Sequence, residues 1–544
     1  MFKALELENF KAFGKRTRFE FAPITLIYGP NSAGKSSILN ALNLLKQTRS
    51  AREHGALLLP RAEGGLVDLG SFHEILFDHD ASRTLSFRLE FAPTRQHIRP
   101  LNRPTRNVSA LELAFRREQD EKDISLARLD AYTTHTAEPA VRFEPTADQS
   151  GVRFPSPSYR RLSAHRNHGN STTARCLWVT GEPRFWEQEY AECQRHKGEI
   201  LGLLERIAKG IATEEAISVR LGEISAHALR TAIDFFRSEF SLNSYIERRR
   251  AAASGSLLAL DGFMPVGIVP RETASFPELV AAQSGPAVRR ASAIRNLFFD
   301  AADLLLEGGL LLENALDSLF PLGPYRRPPE RLYVFTGTTP PDVGYSGNLL
   351  PDLLYRQGEL VEETNSWLEK LDIGYQLRIE PLGTRSNDLF EVRLRDTRRG
   401  SAGTVSLPDV GFGISQLLPF VVQALASRGR TITIEQPEVH VHPRLQADVA
   451  DLLVAGIQPQ RGNHFIVETH SEHLILRILR RIRETTSGDL PVGTPGLQPE
   501  QVSVLFLERG ANGTEVHRLR INEDGEFIDR WPQGFFEERA RELF

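Results

Sequence analysis

Cysteine is nearly missing from this chain: two residues, Cys176 and Cys193, in a length of 544. At most one bridge can form, and neither cysteine sits in a Cys-x-x-Cys spacing, so a disulfide framework is excluded. A reducing, cytoplasmic setting is the expectation. Long apolar runs are also missing. None reaches the roughly 18 residues of a membrane span, so no membrane partner is expected. Net charge is close to zero: 66 Lys and Arg against 70 Asp and Glu leave a formal charge of -4. That argues against a protein that coats nucleic acid along its whole surface, and leaves local basic patches open. No heptad runs long enough for an extended coiled coil, and no repeat is evident. What is present is ordinary for a soluble globular protein, with 40% apolar and 25% charged residues. The length allows two to four domains and a sizeable core.

The opening Phe2–Phe10 alternates polar and apolar residues, which predicts a strand and not a signal peptide. Phe19–Phe21 and Ile24–Tyr28 predict two more strands, the second running into glycine. Ser36–Leu45 carries apolar residues at helical spacing, and Leu85–Phe91 reads as a strand. The character then changes. The stretch 100–175 is rich in Pro, Arg, Thr and Ser with weak periodicity. Gln188–Ile207, Glu214–Leu221, Ala226–Phe240 and Ala291–Phe320 have amphipathic helical spacing. From residue 321 alternating strands and helices return. Tyr375–Glu380, Leu389–Leu394, Thr431–Ile434, Asn463–Val467, Val502–Glu508 and Val516–Arg520 read as strands. Gly413–Ala424, Leu445–Leu453 and Glu472–Arg483 read as helices. The expectation is an α/β fold in four segments: 1–95, an irregular and largely helical insertion over 96–320, 321–490, and a tail subdomain over 491–544.

Four motifs carry chemistry. Gly29-Pro30-Asn31-Ser32-Ala33-Gly34-Lys35-Ser36 lies between a predicted strand and a predicted helix that continues through Ser37. Its backbone N–H groups and the helix N-terminus suit phosphate oxygens. Lys35 would sit between the β- and γ-phosphates and Ser36 on Mg²⁺. The strand Thr431–Ile434 ends in Glu435, a carboxylate placed to order Mg²⁺. Gln436 follows where a water-polarising glutamate often stands; an amide can orient water but cannot take its proton, so Glu438 is the candidate substitute base. Gly413-Ile414-Ser415-Gln416 opens a helix about twenty residues before Glu435, a second anion-binding helix start. Finally, His470 in Glu468-Thr469-His470-Ser471 follows a buried strand and can hydrogen-bond a γ-phosphate, while Ser471 or Thr469 caps the next helix. His440, His442, His470 and His473 also allow a zinc reading, which the phosphate chemistry makes unnecessary.

In this order the motifs resemble the OLD-like ATPases of bacteria, and Leu7-Glu8-Asn9-Phe10-Lys11-Ala12-Phe13 is similar to the first strand of RecF and SMC heads. Leu322–Arg326, Asp342–Gly347 and the tail Asp524–Phe536 match stretches found in the same group. The resemblance covers roughly 1–95 and 321–544. It implies an ABC-type P-loop head with a mixed sheet flanked by helices, using ATP and Mg²⁺. It also implies a homodimer, or a higher oligomer, that sandwiches ATP between Lys35, Ser36, Glu435 and His470 of one subunit and Gly413 and Ser415 of the other. Relatives of this kind, such as the ATPase subunits of Septu and PARIS systems, work in anti-phage defence with a nuclease or toxin partner. OLD proteins carry a TOPRIM nuclease. Residues 471–544 show no Glu plus Asp-x-Asp set, so no nuclease is expected in this chain. Gln436 implies slow hydrolysis. Gln47, near Asp68-Leu69-Gly70, is the candidate to link Mg²⁺ to the attacking water.

Arg248–Arg250, Arg326–Arg327 and the helix bearing Arg477, Arg480, Arg481 and Arg483 are the basic spots where nucleic acid could bind. Taken singly, each reads more simply as a solvated face. The leading expectation is an ATP-gated regulatory subunit of a defence complex. The alternatives are a RecF- or SMC-like repair ATPase on DNA, and a nucleotide-gated scaffold that barely turns over.

Overall fold

The computed structural model describes residues 1–51, 57–92, 108–117, 124–134, 138–145, 172–179, 233–253, 257–261, 263–269, 302–382, 388–398 and 403–532, with isolated residues between 187 and 205. The chain divides into two compact units: residues 1–50, 60–80 and 314–544, and residues 51–59 and 81–313. Among the described residues no helix is long and apolar enough to cross a membrane.

The first unit begins with β1 (Phe2–Glu8) and β2 (Thr17–Glu20), an antiparallel pair. Next comes β3 (Ile24–Tyr28), five consecutive buried residues, and then helix α1 (Lys35–Ser50). An uninterrupted β-branched and aromatic run is what a strand buried on both faces requires.

The second unit departs from the irregular expectation, while the helix expected over 291–320 is present as Ala302–Asp317 and ends before the strand Leu319–Leu322. Among its described residues are seven strands in sequence order, each antiparallel to the next: β4 (Leu85–Phe91), β5 (Val108–Arg117), β6 (Ile124–Thr133), β7 (Val141–Pro145), β8 (Thr172–Val179), β9 (Leu257–Asp261) and β10 (Met264–Val269). The acidic residues that blur the apolar pattern here are internal. Glu112 and Asp130 are fully buried. Glu112 accepts from Arg128 at 2.7 Å, Tyr132 at 2.7 Å and Ser86 at 2.9 Å. Asp130 takes both arms of Arg142 at 2.8 Å. Buried charges are tolerated when paired this fully. Most of the expected helices between 188 and 232, and Cys193, lie outside the described residues.

The first unit resumes with β11 (Leu319–Leu322), β12 (Tyr333–Val334), α2 (Leu350–Arg356), α3 (Gly358–Lys370), β13 (Tyr375–Pro381), β14 (Leu389–Asp396) and β15 (Thr404–Ser406). It continues through α4 (Phe412–Ala426), β16 (Thr431–Glu435), α5 (Pro443–Gly456), β17 (His464–Glu468), α6 (Glu472–Ser487), β18 (Val502–Gly510) and β19 (Gly513–Leu519). Its main sheet runs β11-β16-β17-β3-β18-β19. The first five strands are mutually parallel and β19 closes the edge antiparallel. β12 to β15 form a separate small antiparallel sheet. Tyr28, Leu417, Phe420, Ile432, Phe465, Leu474, Ile478 and Phe506 lie in one core joining the main sheet to its helices. All the expected strands of 375–520 and the three expected helices are present, most of them longer than the periodicity indicated.

Candidate functional site

In a parallel sheet the strand ends share one edge, and ligands gather there. Here β3 hands the chain to the loop 29–36. Gly29 has φ +146°, and a Cβ there would stand 2.4 Å from the Leu507 carbonyl oxygen on β18. Gly34 has φ +91°, and its Cβ would stand 2.6 Å from Ala12. Glycine is required at both by conformation and by space. The loop is braced from the far hairpin: Thr514 Oγ1 donates to the Ala33 carbonyl at 2.8 Å, and Arg509 Nε to the Ser32 carbonyl at 3.0 Å. Pro30, Asn31 and Ser32 crown the loop and are exposed, while Ala33 and Ser37 are buried beneath it. Lys35 opens α1 and donates Nζ to the carbonyls of Gly29 and Pro30, both at 3.0 Å. Burial lowers its pKa, and the carboxylates of Glu468 and Glu438 oppose that shift.

Two neighbouring strands end in glutamate at the same level. In the parallel register Glu435 of β16 stands opposite Glu468 of β17, and Glu468 opposite Ile27 of β3. Residues in register on adjacent strands project from the same face, about 4.8 Å apart. Ser36 Oγ donates to Glu468 Oε1 at 3.1 Å, and the Tyr345 hydroxyl donates to Glu435 Oε1 at 3.2 Å. Burial and then the Glu468 charge push the Glu435 carboxyl up to about 7, against the Tyr345 hydrogen bond and the Arg326 charge. Burial also raises Glu468, opposed by Ser36 and Lys35. Glu468 Oε2 has no hydrogen-bond partner. A hydroxyl, two carboxylates and an unpartnered buried oxygen fit a hard divalent cation such as Mg²⁺. Glu468 is the cavity-lining acid that sequence reasoning passed over. The visible signal was two buried strands, Thr431–Glu435 and His464–Glu468, ending alike.

These groups face a cavity of about 450 Å³, lined by Ser36, Glu435, Gln436 and Glu468 and also by Arg326 and Gln416. Gln436 is held by its own N–H, which donates to the Glu468 carbonyl at 2.8 Å, and its backbone is left-handed with φ +47°. Glu438 does not line the cavity. Its Oε1 accepts from the His470 N–H at 2.6 Å and its Oε2 from Thr469 Oγ1 at 2.8 Å. Both oxygens are engaged, so service as a base needs those bonds to open. The imidazole of His470 is half-buried, and burial and the Lys35 charge lower its pKa, which favours the neutral ring. Ser471 is the helix cap, accepting from the Leu474 N–H at 3.1 Å.

The helix α4 meets this region within its own chain. A Cβ on Gly413 would stand 2.5 Å from the His440 carbonyl oxygen, so the helix start packs on the loop after β16. Ser415 is buried, and Gln416 reaches the cavity. Gln47 does not: its Oε1 accepts from the Val67 N–H at 2.8 Å, so the amide serves the 60–70 loop rather than the phosphate site. Arg326 was expected as a surface cation and is buried at 5% exposure, donating Nη2 to the Glu435 carbonyl at 3.3 Å. Burial brings its pKa down to about 10, while Glu438 and Glu435 hold it up. Four of the other basic residues are paired. Arg477 pairs with Asp448 and Asp451, Arg481 with Asp451 and Glu484, Arg480 with Glu484, and Arg327 with Glu330. The side chains of Arg248–Arg250 lie outside the described residues.

Residues 245–477 match the family described as "AAA domain, putative AbiEii toxin, Type IV TA system", residues 4–125 one described as "AAA domain", and residues 497–544 one described as "Protein of unknown function (DUF3696)". A 53-residue stretch, 10% of this chain, is 49% identical to the chromosome partition protein Smc of Rhodopirellula baltica, and spans 4% of that protein. Among solved structures, the Smc head domain of Pyrococcus furiosus, with an extended coiled coil and bound to the C-terminal domain of ScpA, is 12% identical with a TM-score of 0.35. That alignment covers 100% of this chain and 98% of the other. The SMC head domain of Thermotoga maritima is 11% identical with a TM-score of 0.32, covering 96% and 99%. By its loop and the AAA-domain matches, the chain is similar to AAA-domain ATPases.

Proposed function

We propose that this chain is an ABC-class ATPase whose nucleotide state gates a partner. The observation that carries the proposal is the meeting of Ser36, at the start of the helix that follows the β3 loop, with Glu468 and Glu435 at the ends of the next two strands. Lys35 would turn from its own loop carbonyls onto the phosphates. Ser36, Glu435 and Glu468 would hold Mg²⁺, which when bound neutralises phosphate charge. Gln436 would orient the attacking water without accepting its proton, so turnover would be slow. Gly413 and Ser415 would complete the site of a second copy, making a homodimer. The partner in this proposal is a nuclease or toxin of an anti-phage defence complex; the description of the family matched by 245–477 names a toxin system and nothing finer.

The test is sedimentation with and without ATP and Mg²⁺, beside a phosphate-release assay. Wild type should dimerise with ATP and release phosphate slowly, and Lys35→Ala should do neither. A Lys35→Ala chain that binds and cleaves ATP like wild type removes the site assignment. A wild-type chain that stays monomeric removes the sandwich. The 49% match to Smc favours a second reading, an ATPase that acts on DNA. ATP-dependent binding of a DNA duplex by the purified chain would select it over the defence role.

A further inference from the structure

The cavity has a cationic wall that the phosphate-loop reading leaves unused. Arg326 is 5% exposed, and its Nε and Nη1 have no hydrogen-bond partner. Gln416, 4% exposed, likewise has an Nε2 without a partner. A guanidinium carries five N–H donors in a planar fork that matches two phosphate oxygens at once. Buried donors of this kind are kept where a ligand satisfies them.

The position of Arg326 is set by the backbone on either side. Gly323 N–H donates to the Tyr345 carbonyl at 2.9 Å, and Arg327 N–H to the Ser346 carbonyl at 2.8 Å. A Cβ on Gly323 would stand 2.6 Å from the Tyr345 ring, so this segment approaches as closely as it does only with glycine there. The sheet order β3, β17, β16, β11 then becomes an order of chemistry along one edge: phosphate loop, Glu468, Glu435, Arg326. A polyphosphate that enters at the loop extends toward Arg326. A phosphate bound to a divalent cation satisfies both walls, since the cation meets the carboxylates and the anion meets the donors.

We propose that Arg326, with Gln416 beside it, grips the terminal phosphate of a nucleoside triphosphate within the same chain, and so tells triphosphate from diphosphate. The proposal rests on the nucleotide-site reading above and assigns its end point. It is tested by calorimetric titration of wild type, Arg326→Gln, Arg326→Lys and Lys35→Ala with ADP and with a non-hydrolysable ATP analogue, all in Mg²⁺. Arg326→Gln should bind the triphosphate about 10- to 100-fold more weakly, the range of a lost charge-assisted hydrogen bond, and should bind ADP as wild type does. Arg326→Lys, which keeps the charge and loses the fork, should fall between. Thermal melting shows that each variant is folded, and the lysine variant carries the test if the glutamine variant is not. Unchanged triphosphate affinity in the folded variants, or an equal loss for both nucleotides, overturns the proposal. Wild-type nucleotide binding by Lys35→Ala would instead remove the site reading on which it rests.

Discussion

Glu435 shows how a single residue can be kept ready for a cation at a cost to the empty protein. It is 8% exposed, in register with a second carboxylate, and its pKa is about 7 against an ordinary 4.5. A carboxyl raised in the folded state keeps its proton after the unfolded chain has lost its own. Its contribution to stability is therefore whole below about pH 4.5 and is lost as pH rises toward 7, to the order of 3 kcal/mol. Glu435→Gln removes the titration. In chelator, its melting temperature should exceed that of wild type at pH 8 and match it at pH 5; a gap independent of pH would refute this account. Gly29→Ala tests the opposite kind of demand. With φ +146° and the Leu507 carbonyl 2.4 Å from the new methyl, it should destabilise the loop by more than about 1 kcal/mol and abolish measurable ADP binding. Glu435 was legible because a buried strand ending in an acid is a pattern in itself. Glu468 was hidden in the Glu-Thr-His-Ser motif, where the histidine drew the chemical reading. Arg326 was legible only as a basic spot and as the end of the Leu322–Arg326 stretch; its burial beside Glu435 was not.

At the scale of elements, the phosphate loop is finished by strands far along the chain. The hairpin of β18 and β19 supplies the Leu507 carbonyl, Arg509 and Thr514 that enclose it. Thr514→Val keeps the shape of the side chain and removes the 2.8 Å hydrogen bond to Ala33. The expected cost is about 1–2 kcal/mol of stability and several-fold weaker ADP binding, read by melting and by titration. If nucleotide affinity is untouched, the brace does not shape the loop. Both strands were readable, Val502–Glu508 as an apolar run and Val516–Arg520 as a shorter mixed one. Their partner was not, because no local pattern tells a strand which neighbour it will pair with. The strands β5 and β6 failed for a different reason. Glu112, Arg128, Asp130 and Arg142 look like a solvated surface in sequence, yet they neutralise one another inside a sheet. Composition alone cannot separate those two states of a charge.

The chain divides into two compact units, one holding the six-stranded, mainly parallel sheet and the other the antiparallel run β4 to β10. If each is a cooperative block, melting shows two transitions. ADP at 100 times its dissociation constant should stabilise the first by about 2.7 kcal/mol and leave the second in place. Glu112→Ala should do the reverse, lowering the second by about 1–3 kcal/mol because Tyr132 and Ser86 lose a buried acceptor. Scanning calorimetry of wild type and variant, each with and without ADP, reads all four cases. One common transition moved by both perturbations would show that the units do not melt apart. The division at residues 80 and 314 could be anticipated only loosely. The change of character near 95 and 320 was visible in sequence, but the fold of what lay between was not.

The central strand also sets a schedule for synthesis. β3 ends at Tyr28, and both strands that flank it, β17 and β18, begin only at His464 and Val502. At about 5–20 residues per second, a ribosome needs roughly 20–90 s to deliver the first of them after β3 has emerged. Throughout that interval the motif Gly29–Ser36 exists as sequence but not as a cradle. A nascent chain cut short before residue 464 would bear every letter of a phosphate loop and grip no phosphate.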